Sequence, residues 1–171
     1  MSITPSLIPC TGCGALVPDE DGPTHRYVGA SPGCWAIHGE VLARGYSVPG
    51  FGDELMLQIN SYCVQHPGTP SPQSIQSVCV HLIGLYLVLE RNFDGKRALE
   101  AVRVAADGSR AFHWLEPPTH HYEVTILDIF RAGDPATYAA ALTEMARLTW
   151  AAWSIHHSQV RGWAAELGCI D

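Results

Sequence analysis

Residues 10–34 read CTGCGALVPDEDGPTHRYVGASPGC and decide how this chain begins to fold. The stretch is rich in glycine, proline and acidic residues, so it is too polar and too interrupted to bury a core of its own. It also contains four residues that can bind a metal ion: Cys10, Cys13, His25 and Cys34. Thiolates and an imidazole at such spacings can complete a tetrahedral zinc shell. We therefore expect a Zn²⁺ ion to hold this stretch in place.

The CxxC pair is the strongest single signal in the stretch. Cys10 and Cys13 can place two sulfurs on one cation, and Gly14 suits the tight turn that this requires. Cys34 is expected at the start of a helix, where backbone amides favour a thiolate. A thioredoxin-like redox pair is disfavoured, because no strand precedes the motif and no βαβ pattern surrounds it. The simplest alternative is a reduced CxxC turn with Cys34 at a helix start.

Two histidines compete for the fourth position in the zinc shell. His25 is the nearer of the two in the sequence. His66 is expected at the end of the second helix, on the same face as the apolar residues Leu55, Ile59 and Tyr62. A buried imidazole needs a partner, which can be a metal ion or a backbone carbonyl. The sequence leaves both histidines as candidate ligands.

After residue 33 the apolar residues recur at helical spacing. The pattern predicts helices over about 34–45, 53–65, 71–89, 94–106 and 134–167, with a shorter one near 127–131. Asp53 and Ser71 are expected to cap the second and third helices, and Asp134-Pro135 to begin the last one. We predict an all-α fold in a single domain, 1–171. A zinc-knuckle-like segment, 1–33, packs on an antiparallel helical bundle, 34–171.

Three further histidines lie within the predicted helices. His81 flanks the apolar stripe of the third helix, His156 is expected to point into the bundle, and His157 lies beside Trp150. Histidines from separate helices can form a metal site or an acid–base pair, although core packing is the simpler explanation for each one alone. They are the candidate catalytic residues if the zinc ion has an open position. A di-iron bundle is excluded, because the chain has no Glu-x-x-His pairs.

The composition limits which cellular compartments and binding partners are compatible with the sequence. The 10 basic and 17 acidic residues give a net charge of −7, which argues against binding to nucleic acid or to an anionic membrane. The chain shows neither a secretory signal nor a transmembrane pattern, so we expect it in the cytoplasm. In that reducing compartment the six cysteines favour metal ligation or buried thiols over disulfides. Phosphate-binding, dinucleotide and serine-hydrolase motifs are absent.

Four parts of the chain carry a family resemblance. They are CTGCGALVPDEDGPTHRY, SPGCW with HGEVLARGYS, SYCVQHPGTPSPQSIQSVCVHLIGLYLVLER and TWAAWSIHHSQVRGWA. Through the CxxCG, THRY, GCW and QHPG motifs they resemble an uncharacterised bacterial family, a domain of unknown function. The resemblance brings no known reaction, but it implies that these cysteines and histidines occur together in related chains. The family often has Asp six residues before the QHP histidine, where this chain has Asn60 (or, with a shift, Ser61).

Three functions remain open at this point. The favoured one is a zinc-binding protein whose closed site ties the N-terminal loop to the bundle. The alternative is a small metalloenzyme of hydrolase or transferase type, with zinc at an open position and a histidine as acid or base. A partner-binding scaffold is the third. Whether the zinc shell is closed decides between the first two.

Overall fold

The computed structural model describes residues 6–108, 110–119 and 121–169. In these residues the chain is predominantly helical with one small sheet, so the predicted all-α class is confirmed. The elements are β1 (Leu7–Pro9), β2 (Leu16–Pro18), α1 (Pro32–Tyr46), α2 (Gly52–Gln65), α3 (Pro72–Arg91), α4 (Gly95–Ala105), α5 (Ile126–Arg131), α6 (Pro135–Ala152) and α7 (His157–Glu166).

Capping side chains set most of the helix starts. Ser71, Asp94 and Asp134 each accept hydrogen bonds from backbone N–H groups in the first turn of α3, α4 and α6. The expectation for Asp53 was wrong, because α2 begins one residue earlier with Phe51 at its N-cap. The Asp53 carboxylate instead accepts a hydrogen bond from the first backbone N–H of α4. It therefore joins two helices rather than capping one.

The central helix of the bundle is α2, which packs against α1, α3, α4 and α6. It is unusually polar for such a position, since four of its polar side chains are fully buried: Gln58, Asn60, Ser61 and Gln65. Burying a polar group costs free energy unless it is hydrogen-bonded. The Tyr138 hydroxyl donates to Gln58 at 3.0 Å, and Gln65 donates to the Thr149 hydroxyl at 2.8 Å. These bonds fix α2 against α6.

Buried apolar side chains form two clusters, one on either side of α2. The first lies among α3, α4, α7 and the end of α6, and the second among the N-terminal segment, α1, α5 and the start of α6. One described helix, α3, is long and apolar enough to cross a membrane by length and composition. However, 56% of that span is buried inside the protein, which is typical of the core helix of a soluble protein.

The N-terminal segment contains a small hairpin that the sequence did not predict. The strands β1 and β2 pair antiparallel with Ile8 opposite Val17. Val17 is fully buried against the second apolar cluster, whereas its neighbour Leu16 is exposed, so the strand has the alternation of a half-buried sheet. Strands of three residues are too short for this pattern to stand out in the sequence.

The last predicted helix is two helices. α6 ends at Ala152, a 3₁₀ turn occupies Ser154–His156, and α7 follows. Breaks in helices usually have a proline or glycine, but the sequence here has neither. The feature at the break is Trp153, which is fully buried and donates from Nε1 to the Tyr122 hydroxyl at 3.0 Å. Tertiary packing of this side chain therefore accounts for the change of direction.

Candidate metal centre

Three separate parts of the chain bring four metal-binding side chains together. Cys10 and Cys13 lie in the turn of the hairpin, Cys34 is the third residue of α1, and His66 directly follows α2. Their exposed fractions are 4%, 1%, 0% and 1%. The three Sγ atoms and one His66 nitrogen all lie within 4.8 Å of one another. In the described part of the chain, this is the only group of three or more Cys, His, Asp or Glu side chains placed to share an ion.

A backbone hydrogen bond orients the His66 ring. Its Nδ1 lies 2.7 Å from the carbonyl oxygen of Tyr62, so Nδ1–H donates, and Nε2, 3.4 Å from the Sγ of Cys34, is the nitrogen that can bind a metal ion. Metal-bound histidines commonly have this arrangement, because the outer hydrogen bond fixes the tautomer. The Tyr62 hydroxyl also donates to the Cys34 sulfur at 3.6 Å, and the Ser31 N–H donates to the Cys10 sulfur at 3.5 Å.

The sulfurs of the cluster cannot all ionise independently in so small a buried space. Hydrogen bonds from Cys13 and Cys34 hold the pKa of Cys10 far below its usual range. Hydrogen bonds to Cys10 and Cys13, together with burial, raise the pKa of Cys34 far above it. Burial lowers the pKa of His66, but its hydrogen bonds to Cys10 and Cys13 outweigh this and raise it to about 9. A divalent cation at the centre would remove this conflict, because it stabilises every thiolate at once.

Gly12 gives the cluster room to close. A Cβ at this position would lie 2.3 Å from Cδ2 of His66 and 2.8 Å from the carbonyl oxygen of Gly29. Real Cβ atoms essentially never come so close, so any larger residue has to displace the imidazole or the backbone. The glycine between the two cysteines therefore sets how closely the hairpin turn approaches α2.

We expect Gly12→Ala to lower metal affinity by about 10–100-fold, because it displaces a ligand ring held by one hydrogen bond. The free energy of unfolding should fall by about 1–3 kcal/mol from overpacking. Gly39→Ala is the matched control, since a Cβ at Gly39 in α1 meets nothing within 4 Å. It should leave metal affinity unchanged and stability equal or higher. Competition with a chromogenic chelator and thermal unfolding measure both quantities, and equal affinities for the two variants would contradict the prediction.

His25, the rival for the fourth position, lies outside the cluster. Its half-buried ring packs edge-on against Tyr27, with centroids 4.4 Å apart, and tilted against Trp35 at 5.2 Å. Its Nδ1 is buried and has no hydrogen-bond partner among the described residues. Tyr62 packs between His66 and His38, with centroids 4.1 and 3.8 Å away. The structure therefore brings only His66 to the three sulfurs and places His25 in the aromatic packing beyond them.

The three candidate catalytic histidines do not meet. His81 bonds through Nδ1 to Oδ1 of Asn60 at 2.8 Å. The expectation that His156 points into the bundle was wrong, because the 3₁₀ turn redirects it and its Nε2 bonds to the carbonyl oxygen of Glu116 at 2.9 Å. The ring of His157 stacks on Trp150, with centroids 3.7 Å apart. Each imidazole has its own local partner, and none of the three belongs to the metal-binding group.

Sequence reasoning missed the cavity next to the cluster. It has a volume of about 290 Å³, and Cys13 forms part of its wall. Its other lining residues include six with polar or charged side chains: His121, Tyr122, Glu123, Thr125, Asp128 and Arg131. These residues lie just before α5 and within it, far from Cys13 in the sequence, so no local pattern could have indicated the cavity.

The fold and the site together define a helical bundle with one buried cluster of three cysteines and one histidine. Residues 8–154 match the family of unknown function DUF5946, and the chain belongs to this family. The match confirms the resemblance to an uncharacterised family. A search of curated proteins and a search of solved structures each found no match.

Proposed function

We propose that Cys10, Cys13, Cys34 and His66 bind one zinc ion in a closed tetrahedral site, and that this ion ties the N-terminal segment to α1 and α2. The observation that carries the proposal is the convergence of four buried ligand atoms, all within 4.8 Å of one another, from three parts of the chain. Thiolates with one imidazole are a typical ligand set for structural zinc.

The distances within the cluster fit an ion of this size. Tetrahedral zinc with Zn–S bonds of about 2.3 Å and a Zn–N bond of about 2.0 Å separates two sulfurs by about 3.8 Å, and a sulfur from a nitrogen by about 3.5 Å. The Cys13 and Cys34 sulfurs are 3.9 Å apart, and the Cys34 sulfur is 3.4 Å from Nε2 of His66. These two pairs therefore need almost no rearrangement to bind the ion, and the remaining pairs lie within 4.8 Å.

A structural role explains why the N-terminal segment folds at all. The hairpin is too small to be stable alone, since isolated two-stranded hairpins are marginal in water. Apart from the cysteines, the N-terminal segment before α1 has few buried side chains, namely Val17, Val28, Ala30 and Ser31. A closed metal site supplies folding free energy directly. The proposal treats 1–171 as one domain of a cytoplasmic protein, because reduced thiols are needed for metal binding.

Protein purified without added metal is expected to contain about one equivalent of zinc by elemental analysis. X-ray absorption spectroscopy at the zinc edge should then show three sulfurs at about 2.3 Å and one nitrogen at about 2.0 Å. Zinc content well below one equivalent, with no other thiophilic metal in its place, would contradict the proposal. The His25→Ala variant is a useful control and should retain the same metal content and the same spectrum.

A small metalloenzyme is the second candidate, and the cavity beside Cys13 is the observation that favours it. Zinc catalysis requires an open position for water or substrate, with three protein ligands. In that case His121 or Glu123, which line the cavity, are better placed than His81, His156 or His157 to act as acid or base. The same absorption spectrum separates the candidates, since an open site replaces one protein ligand by an oxygen.

A further inference from the structure

The fully buried Asn60 and the half-buried His81 form a polar pair that the metal centre does not use. Oδ1 of Asn60 lies 2.8 Å from Nδ1 of His81. An amide oxygen only accepts hydrogen bonds, so the proton resides on Nδ1 and Nε2 carries a lone pair. No described residue bonds to this Nε2. Asn60 therefore holds the His81 imidazole in one tautomer, and Nε2 of His81 remains available to accept a hydrogen bond.

Two features that accompany this pair lower the stability of the protein. Asn60 is fully buried, yet its amide nitrogen has no hydrogen-bond partner among the described residues. Gly84, in the middle of the apolar helix α3, makes room for it, since a Cβ there would lie 2.5 Å from that nitrogen. A buried unpaired amide and a glycine inside a helix both lower stability. Violations of this kind concentrate at functional sites.

A cavity opens beside His81. It has a volume of about 220 Å³ and lies between α3, α4 and residue 27 of the N-terminal segment. Its walls combine apolar and neutral polar side chains, among them Tyr27, Gln76, Ser77, Val80 and Val102. None of the described residues that line it carries a full charge. Apolar walls with a few fixed polar groups are typical of sites for small molecules.

We propose that this cavity binds a small uncharged molecule that donates an O–H or N–H hydrogen bond to Nε2 of His81, and that Asn60 is the residue that positions His81 for it. This site is distinct from the zinc site and shares none of its four ligands. Burial lowers the pKa of His81 to about 4, which keeps the imidazole neutral near pH 7. A neutral amide, unlike a carboxylate, adds no charge that would stabilise an imidazolium. The pair is therefore suited to recognising a donor rather than to removing a proton.

Phenol and toluene are suitable probes, because they share a ring that fits the cavity and differ in one hydroxyl donor. Nitrogen-15 NMR of the histidines in the full-length, metal-loaded protein should show His81 with its proton on Nδ1. Phenol should shift the Nε2 resonance of His81 to saturation, and toluene should bind about tenfold more weakly, as expected for the loss of one hydrogen bond. Equal binding of the two probes, or no response at His81, would overturn the proposal.

Three variants separate the positioning role of Asn60 from the contribution of the cavity itself. Asn60→Leu should fold, because it removes the unpaired amide, but His81 should lose its single tautomer and phenol should bind about tenfold more weakly. Asn60→Asp should keep the proton on Nδ1, since a carboxylate accepts the same hydrogen bond, but its charge favours the imidazolium, so phenol should still bind more weakly than to the wild type. Ser77→Leu fills the cavity and should abolish the phenol response while leaving the tautomer unchanged. An unchanged phenol response in both leucine variants would rule the site out.

Discussion

Cys34→Ala is expected to remove the zinc ion and to lower the free energy of unfolding by at least about 4 kcal/mol, since loss of a structural metal is among the most damaging single changes. Cys34 is fully buried, and its Sγ contacts both Cys13 and His66. Without it, the hairpin keeps only a few buried side chains to hold it against α1. Zinc content by elemental analysis and chemical denaturation followed by circular dichroism give the two quantities.

Cys79→Ala is the matched control for this experiment. Cys79 is also fully buried, but it lies in α3, and its thiol donates only to the carbonyl oxygen of His113, at 3.6 Å. Removing it should cost about 1 kcal/mol of packing and leave one equivalent of zinc bound. If Cys34→Ala loses its zinc but keeps wild-type stability, the ion does not stabilise the fold, and the result favours the metalloenzyme function. If both variants retain zinc, the proposed site is wrong.

Trp153→Ala is expected to lower the free energy of unfolding by about 3–5 kcal/mol, the usual cost of truncating a fully buried tryptophan. The side chain lies at the junction of α6 and α7 in the first apolar cluster. Its loss creates a cavity there and also leaves the hydroxyl of the half-buried Tyr122 without its donor. Ile155→Ala, two residues away, is the control, because Ile155 is 81% exposed and its truncation should change stability by no more than about 0.5 kcal/mol. Equal effects would show that Trp153 does not fix the junction.

Local sequence patterns predicted the parts of the molecule that local chemistry controls. Ser71 and Asp134 cap their helices because a short polar side chain reaches its own first turn. His66 is buried because it follows Tyr62 on the inner face of α2 at helical spacing. The sequence could not decide whether His66 or His25 joins the cysteines, because this depends on how the hairpin packs against α2. No spacing along the chain determines that packing.

The features that sequence reasoning missed are tertiary. The helix break after Ala152 contains no glycine or proline. It follows instead from the burial of Trp153, whose Nε1 donates to the hydroxyl of Tyr122 in the loop before α5. Asn60 and His81 are ordinary helix residues until α2 and α3 pack and bring them within 2.8 Å. The resemblance stated from the sequence points to a departure at Asn60, but only the fold shows that this side chain faces His81.

The order in which the cluster can form follows from where its residues lie in the chain. Cys10 and Cys13 are joined by a short turn, but Cys34 waits for α1 to form, and His66 waits for α2 to be complete and docked. Contacts between residues so far apart form slowly, because closing the long loop between them loses chain entropy before the contact can stabilise the structure. A CxxC pair supplies only two of the four proposed ligands, so we expect full metal binding to be a late event in folding. In the proposed role, the ion would bind to an already assembled bundle, and its release rate would report how often the segments that supply its ligands separate.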